Sequence, residues 1–574
     1  MQRHYPEEQM HRIQYTKLTE TQISDKLMSA VSGPKAVSDK SEVLAGLSIK
    51  IVTDTGPVLE YSFKNASSLT LSEGGGRGVD SAYGALTLKN LVLVSHMIPG
   101  TQKGYNLVID LDTNLATVFE VWFSGYEDKR EVQREVYFGY VEERGQNVPK
   151  ARHGITNRIE GKGLHWTQDN GIETLEYFPS VLYSTFVELT RFGGELMFCG
   201  PSDYIKINDE LYIYSRVECE FSGVMTLYAI DLATVTQAGV RLGFDENDDL
   251  EYYLFNGTGE IVGQIAQFEP FGDLGEKFVL GNRAAPTQKG ERMVYRPIKL
   301  NPPMTEQEVH EAVQANISLF KEDNDMAGNK GPISHHLIGK ELTVRYDSNG
   351  PVYEYRFDEL RKLRWRKEGE RRWNEEVYEA YEPAEEMIFF SHLHSGTRPQ
   401  QAVKVVLDLS NGLSTCVHGT LGTPYKGNEV TPAFYFGVIE MEGITAPRYF
   451  RHGFTEELVG QAVTWNYKSG LTSMHLYATP HSYSWIIFLE NGAGGLEWSS
   501  PAWYVKLRDD TYLFSWVEEA CNGSLGTIVY NTRTMHDAGF GYHVGHDGLS
   551  LDVIGAYARN AGKFDVAKYY GPKA

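Results

Sequence analysis

The sequence predicts an all-β protein built of small closed antiparallel barrels, in two homologous halves with two barrels each. Three observations lead there. Apolar and aromatic residues alternate with period two, as in Tyr353, Tyr355 and Phe357, in Val403, Val405 and Leu407, and in Tyr512, Phe514 and Trp516. Turn signals such as Asp347-Ser348-Asn349-Gly350-Pro351 and Lys468-Ser469-Gly470 punctuate these runs, as in all-β folds. The chain also repeats itself. Antiparallel strands without long connections close into barrels to remove their edges.

The repeat runs in order along the 574 residues at a spacing of 296 to 300. His96 matches His392, and Val108-Ile109-Asp110-Leu111 matches Val406-Leu407-Asp408-Leu409. Tyr137-Phe138-Gly139 matches Tyr435-Phe436-Gly437, and Arg152-His153-Gly154 matches Arg451-His452-Gly453. Trp166 matches Trp465, and Tyr204-Ile205-Lys206 matches Tyr504-Val505-Lys506. Ser215, Val217 and Glu218 match Ser515, Val517 and Glu518, and Gly239 matches Gly539. A tandem duplication accounts for so many ordered matches. A fainter inner repeat relates Phe390-Ser391 and Val405–Asp408 to Phe514-Ser515 and Thr527–Asn531, which splits each half in two.

The elements follow in order. Residues 1–40 form an extension with a short helix over 20–31, marked by Ile23, Leu27 and Val31. Barrels are expected over 41–148 and 149–265. A linker over 266–330 carries an amphipathic helix over 305–321, with Thr305 as N-cap, Glu308 completing a capping box, and Val309, Ala312, Val313 and Leu319 as its apolar stripe. Barrels over 331–446 and 447–574 complete the second half.

Composition narrows the function classes. The net charge of −22 and the lack of a basic stripe argue against nucleic acid and anionic membranes as partners. The 35 Tyr, 26 Phe and 57 Gly favour β-structure and pockets with polar tips. Cys199, Cys219, Cys416 and Cys521 lack CxxC spacing, so neither a disulfide framework nor structural zinc is expected. The N-terminus has no apolar signal core and no run is long enough to span a bilayer, which suggests a cytoplasmic protein.

Two stretches carry a family resemblance: His452-Gly453-Phe454-Thr455-Glu456-Glu457-Leu458-Val459-Gly460, and the run from Tyr504-Val505-Lys506 to Ser515-Trp516-Val517-Glu518. They resemble the C-terminal domain of the MoaF family. The run from Gly339-Lys340-Glu341-Leu342 to Val406-Leu407-Asp408-Leu409 looks like the family's N-terminal domain. The resemblance covers about residues 45–250 and 335–550, once per half. It implies calycin-type (lipocalin-like) barrels. The family's name points to molybdenum cofactor biosynthesis, but Gly74-Gly75-Gly76-Arg77-Gly78 is no phosphate cradle, and no cofactor is expected. Tyr512–Glu518 with Asn531 and Met535-His536 is also distantly similar to the core of the phenolic acid decarboxylases. That similarity implies Glu518, and Glu218 in the first half, as proton donor. Trp465 and Tyr467 fall where a substrate-holding tyrosine pair would sit, with Trp166 and Gln168 in the first half, and no arginine stands near Tyr483.

Candidate catalytic residues are Glu518, Glu218, His392 and His96. On a strand Trp516 shares the face of Glu518, and burial against an indole suits a carboxyl to acid–base work. Arg216 beside Glu218 favours the ionised carboxylate instead. The alternative is an outward glutamate paired with a neighbouring Lys or Arg. His96 and His392 each follow Ser and precede a Gly-Thr turn, as barrel-facing proton shuttles or as core histidines bonded to backbone. His394 and His418 with His392 make a conceivable metal trio, but no metal is expected because the first half has Ile98 and Glu120 there. His153 and His452 read as turn-capping linker side chains or as donors at a pocket mouth. Expected substrate-binding residues are Trp516, Tyr467, Trp465, Tyr353, Tyr355 and Arg216, with Arg364 and Arg366 as anion contacts or as charges guarding an edge strand. Ser95 and Ser391 lie in no nucleophile elbow.

Two function classes follow. One is a cofactor-independent lyase, decarboxylase or isomerase acting on a small aromatic or unsaturated molecule, with Glu518 as acid–base residue and His392, Tyr467 and Trp465 orienting the substrate. The other is a non-catalytic binding protein for a hydrophobic small molecule. Either way the partner is a small molecule; a homodimer is left open.

Overall fold

The computed structural model describes residues 18–123, 130–142, 147–180, 183–190, 196–218, 223–245, 247–266, 303–424, 426–468, 471–489, 497–518 and 523–570. These fall into two compact units, one of residues 18–266 with 563–569 and one of residues 303–562 with 570. Each unit holds two antiparallel barrels, so the all-β, two-half expectation is met.

Each half opens with a capped helix. Glu20–Leu27 starts at a capping box between Thr19 and Gln22, continues as a 3₁₀ turn over Met28–Ser32, and buries Ile23 and Leu27. Glu306–Ala315 starts at the expected box between Thr305 and Glu308 and buries Val309, Ala312 and Val313. It is shorter than the expected 305–321. At Asn316 the backbone turns extended, and Ile317–Lys321 becomes a strand parallel to Leu549–Asp552. An apolar stripe cannot distinguish a helix from a strand over so few residues, and the free sheet edge decides. The first half adds Lys35–Ala36 in parallel to Tyr253–Leu254 in the same way.

The first barrel closes eight strands, from Ser48–Thr53 to Val132–Val141. The third follows the same order, with the counterpart of Val79–Leu88 interrupted at Val377 into Asn374–Glu376 and Tyr378–Ala384. The repeated Tyr-Phe-Gly step sits at the closing seam, where Gly139 faces Thr53 and Gly437 faces Tyr346. A Cβ on Gly139 would lie 2.3 Å from the Val52 carbonyl oxygen, and one on Gly437 would lie 2.1 Å from that of Arg345.

The second barrel closes through Leu250–Gln264, which pairs with both Thr236–Phe244 and Lys162–Gln168. In the fourth barrel this long strand is broken into Gly548–Ile554 and Tyr557–Lys563. Residues 563–569 belong with the first-half unit, not with the barrel they follow. There Phe564 and Val566 are buried, the Phe564 ring packs 4.8 Å from that of Tyr177, Lys568 pairs with Glu260 at 2.7 Å, and Tyr569 stacks on His165.

Within each unit the outer faces of the two barrels share a core. Leu91, Leu93, Val108 and Phe119 join Ile213, Val217, Leu227 and Val240 in the first unit. Met387, Phe389 and Val406 join Val505, Leu513, Val529 and Phe540 in the second. Strands on this wall are buried on both sides, as Leu91–Met97 is at every residue. Lys404 lies in the second wall, its Nζ donating to the Leu525 carbonyl at 2.5 Å and to Thr527 Oγ1 at 3.2 Å. The Arg-His-Gly step docks the barrels. Arg152 grips Asp54 and Arg451 grips Asp347, while buried His153 and His452 bond Thr117 and Thr415 at 2.8 Å. The histidines therefore neither cap turns nor stand at a pocket mouth.

The seam glycines are testable. Gly437→Ala is expected to lower stability by about 1–3 kcal/mol, because backbone must move to admit the methyl. Gly453→Ala, whose Cβ meets nothing within 4 Å, is expected to stay within about 0.5 kcal/mol. Urea midpoints at unchanged slope read the difference.

Candidate active site

The strand Thr511–Glu518 runs through the fourth barrel with Tyr512, Phe514, Trp516 and Glu518 on its inner face. Its neighbours add Trp465 and Tyr467, His475 and Tyr477, Tyr483 and Trp485, and Trp498. Trp516 stacks on Phe514 at 5.0 Å and fits because residue 526 is glycine: a Cβ there would lie 2.3 Å from the indole. Glu518 is half-buried at one end of this face and accepts a hydrogen bond from Ser500 Oγ at 3.2 Å. Its charge contributes, after burial, to holding the Tyr483 phenol well above its ordinary pKa.

His475 sits at the centre of the cluster. Its ring lies 5.1 Å from Tyr483, 5.8 Å from Trp465 and Phe514, and 6.3 Å from Trp516. Burial pushes its pKa down to about 3, so the imidazole is neutral, and its Nδ1 has no hydrogen-bond partner. Towards the other end Asp537 faces Tyr530 across the strands and is fully buried. Its Oδ1 accepts the Ala556 N–H at 2.6 Å, a donor freed where the last strand breaks, and Oδ2 has no partner. Burial pushes this carboxyl up to about 8, against the Ala556 hydrogen bond.

The second barrel fills the same positions with ions. The strand registers equate Glu176 with His475, Arg216 with Trp516, Glu218 with Glu518, Arg241 with Gly541 and Gln237 with Asp537. Arg216 is buried against Glu176, reaches Glu218 at 3.3 Å and donates to Tyr228 at 2.7 Å. Arg241 clamps Glu218 with bonds of 2.6 and 3.0 Å and holds Glu251 at 2.6 Å. Against the desolvation of burial, these carboxylates hold both guanidiniums firmly charged. The expected Arg216–Glu218 pair exists, but as part of a larger closed network.

The histidines expected to serve this chemistry lie elsewhere. His96 is inside the first barrel, 3.1 Å from the Tyr61 hydroxyl, and His392 is inside the third, its Nδ1 bonded to the Leu393 carbonyl at 2.8 Å and its Nε2 3.4 Å from Tyr355. Burial lowers both pKa values to about 4. His392 thus cannot orient a substrate for Glu518, because the two line different barrels. His394 lies 5.2 Å from His392 and 5.7 Å from His418, with Trp365 stacked on it at 3.8 Å. These rings pack rather than converge, and among the described residues no group of three His, Cys, Asp or Glu is arranged to hold a metal. Tyr353 and Tyr355 point into the third barrel, whereas Arg364 and Arg366 alternate to the outer face and pair with Asp358 and Glu354. The four therefore do not form an anion site. Ser95 meets the Tyr252 hydroxyl, and Ser391 donates to the Val403 carbonyl, so neither is poised as a nucleophile. Cys199 and Cys416 are buried; Cys219 and Cys521 lie outside the described residues.

Sequence reasoning missed His475, Asp537, Glu176 and Arg241. Carrying the repeat spacing two residues beyond Gly239 and Gly539 finds the Arg241–Gly541 exchange. Asp537 supplies a pH test. Folded, it keeps its proton to about pH 8, whereas an unfolded Asp loses it near 3.9, so stability falls as pH rises through that window and is level above it. Asp537→Asn is expected to match the wild type at pH 4 and to exceed it at pH 8 and above, by about 1.4 kcal/mol for each pH unit of the window at most. Urea unfolding at the two pH values checks this, since the histidine contributions cancel between the two proteins.

A family model described as the MoaF N-terminal domain matches residues 324–423, and one described as the MoaF C-terminal domain matches residues 452–562. These are the third and fourth barrels in order. No curated protein matches the chain. Among solved structures, a Burkholderia vietnamiensis protein described as a candidate beta-lactamase aligns over 18% of this chain and 95% of its own, at 16% identity and a TM-score of 0.16. The LG1-3 region of the laminin alpha2 chain aligns over 71% and 88%, at 8% identity and a TM-score of 0.09. Neither likeness carries an argument. Among the described residues no helix is long and apolar enough to cross a membrane. The second half of the chain is MoaF-like, carrying the family's N-terminal and C-terminal domains in order, and the first half repeats their barrel architecture.

Proposed function

We propose that the fourth barrel is a cofactor-independent acid–base enzyme, a lyase, decarboxylase or isomerase, acting on a small aromatic or unsaturated molecule. One observation carries this reading. The glutamate common to both C-terminal-type barrels is clamped by Arg216 and Arg241 in the second barrel, whereas in the fourth those positions are Trp516 and Gly541. A carboxylate held by two guanidiniums is a poor base and has no proton to give. Beside Glu518 neither of those two positions holds a guanidinium: Trp516 shares its face, Ser500 donates to its carboxylate, and its charge acts on the Tyr483 phenol. The wall of Trp465, Tyr483, Trp485 and Trp516 suits a flat unsaturated ligand.

In this reading Glu518 moves the proton, Trp465, Tyr467 and Trp516 hold the substrate, and Glu218 has become a structural ion. Neither His96 nor His392 takes part. Incubating the full chain with hydroxycinnamic acids, hydroxycinnamaldehydes and aryl β-hydroxy carbonyls, followed by mass spectrometry, tests it. Glu518→Gln is expected to lose turnover by about 10²–10⁴-fold. Glu218→Gln is expected to keep turnover within a few-fold and to lower the unfolding midpoint. Turnover that survives Glu518→Gln, or a compound bound equally by both variants and released unchanged, overturns the reading, the latter in favour of a binding protein.

A further inference from the structure

We infer that the compound held in the fourth barrel is a neutral aromatic carbonyl, an aldehyde, ketone or ester, gripped by the ring nitrogens of His475 and Trp485, and that the corresponding carboxylate is rejected. This rests on the acid–base reading for the role of Glu518 and narrows it to a lyase or isomerase, since a decarboxylase would have to admit the carboxylate; its evidence is separate.

His475 and Trp485 are directly opposed across two strands, so their side chains stand side by side on the inner face. Each is more than nine-tenths buried, and each has a ring nitrogen with no partner: Nδ1 of His475 and Nε1 of Trp485. Leaving buried polar atoms unpaired costs free energy, and a ligand oxygen would remove that cost. The indole N–H is a donor only, and the imidazole donates as the Nδ1–H tautomer, so both can converge on one carbonyl oxygen. The Tyr483 ring, 5.1 Å from His475, links this pair to the Glu518 end of the cluster.

The charge of the barrel interior sets the charge of a ligand it would take. Among the described residues of this barrel no Lys or Arg is buried, whereas Asp537 is buried and Glu518 and Asp552 are half-buried. The near-neutral imidazole supplies no cation. A carboxylate would enter as an added, unpaired negative charge, which a low-dielectric interior resists strongly. The second barrel shows what the fold does when it buries carboxylates here: Glu176 and Glu218 bring Arg216 and Arg241 with them. Where Arg241 stood the fourth barrel has Gly541, and a Cβ built there meets only the Asp552 side chain, at 3.4 and 3.7 Å.

The test uses the wild-type full chain and a matched pair, 4-hydroxycinnamaldehyde and 4-hydroxycinnamate, titrated at pH 7 by calorimetry or tryptophan fluorescence. The aldehyde is expected to bind at least tenfold more tightly. Trp485→Phe and His475→Phe, checked for an intact fold by circular dichroism, are each expected to weaken the aldehyde about tenfold. Trp516→Arg, which restores the second barrel's residue, is expected to move the preference towards the acid. Equal or tighter binding of the acid overturns the inference, as does binding of neither compound at millimolar concentration or aldehyde affinity unchanged in both Phe variants. An acid that binds and is turned over in a Glu518-dependent way overturns this inference alone. An aldehyde that binds as expected but is never transformed leaves it standing and removes the acid–base reading.

Discussion

Burial on both faces of the shared walls constrains everything else in this protein. A strand such as Leu91–Met97 or Met387–His394 turns one face into its own barrel and the other into the core it shares with the neighbouring barrel. A register slip of one residue would exchange the two faces. On these strands the sequence cannot vary freely on either side, so what polarity the walls carry is concentrated in a few fixed positions. Lys404 shows the cost of an exception, since it needs the Leu525 carbonyl and Thr527 to accept from its amine. Polar chemistry is left to the inner faces.

The two C-terminal-type barrels answer the same geometric problem in opposite ways. The second fills its interior with alternating charges, Glu176, Arg216, Glu218 and Arg241, each paired with the next, with Arg216 Nε left without a partner. Such a network commits both carboxylates to guanidiniums. The fourth removes both cations, keeps one glutamate, and surrounds it with rings whose nitrogens and oxygens are only partly satisfied within the protein. Duplication lets one copy keep the stable solution while the other departs from it.

Much of the fold was legible in the sequence. Tyr-Phe-Gly and Arg-His-Gly turned out to be the closing seam and the docking step, so the repeat's landmarks mark geometry rather than chemistry. The end of the second helix was not legible, because Ile317 and Leu319 fit either period and a sheet edge elsewhere in the chain settles the matter. The site was half legible. Glu518, Trp516, Trp465 and Tyr467 do share one interior, whereas His392 lines the third barrel and bonds the Leu393 carbonyl, as its place within residues 331–446 already implied. His475 and Asp537 carry no motif; their significance comes from cross-strand neighbours and from a broken strand that frees one N–H.

The segment 563–569 has a bearing on how the molecule is made. Phe564 fills space beside Gly163 that a side chain at that position would otherwise claim, and Val566 is sealed in the same unit. The second barrel leaves the ribosome before this segment and thus waits for residues synthesised some three hundred positions later before its surface is complete. Folding of the first half is not finished in the order of synthesis, and the apolar patch around Tyr177 stays open until the second half has been translated.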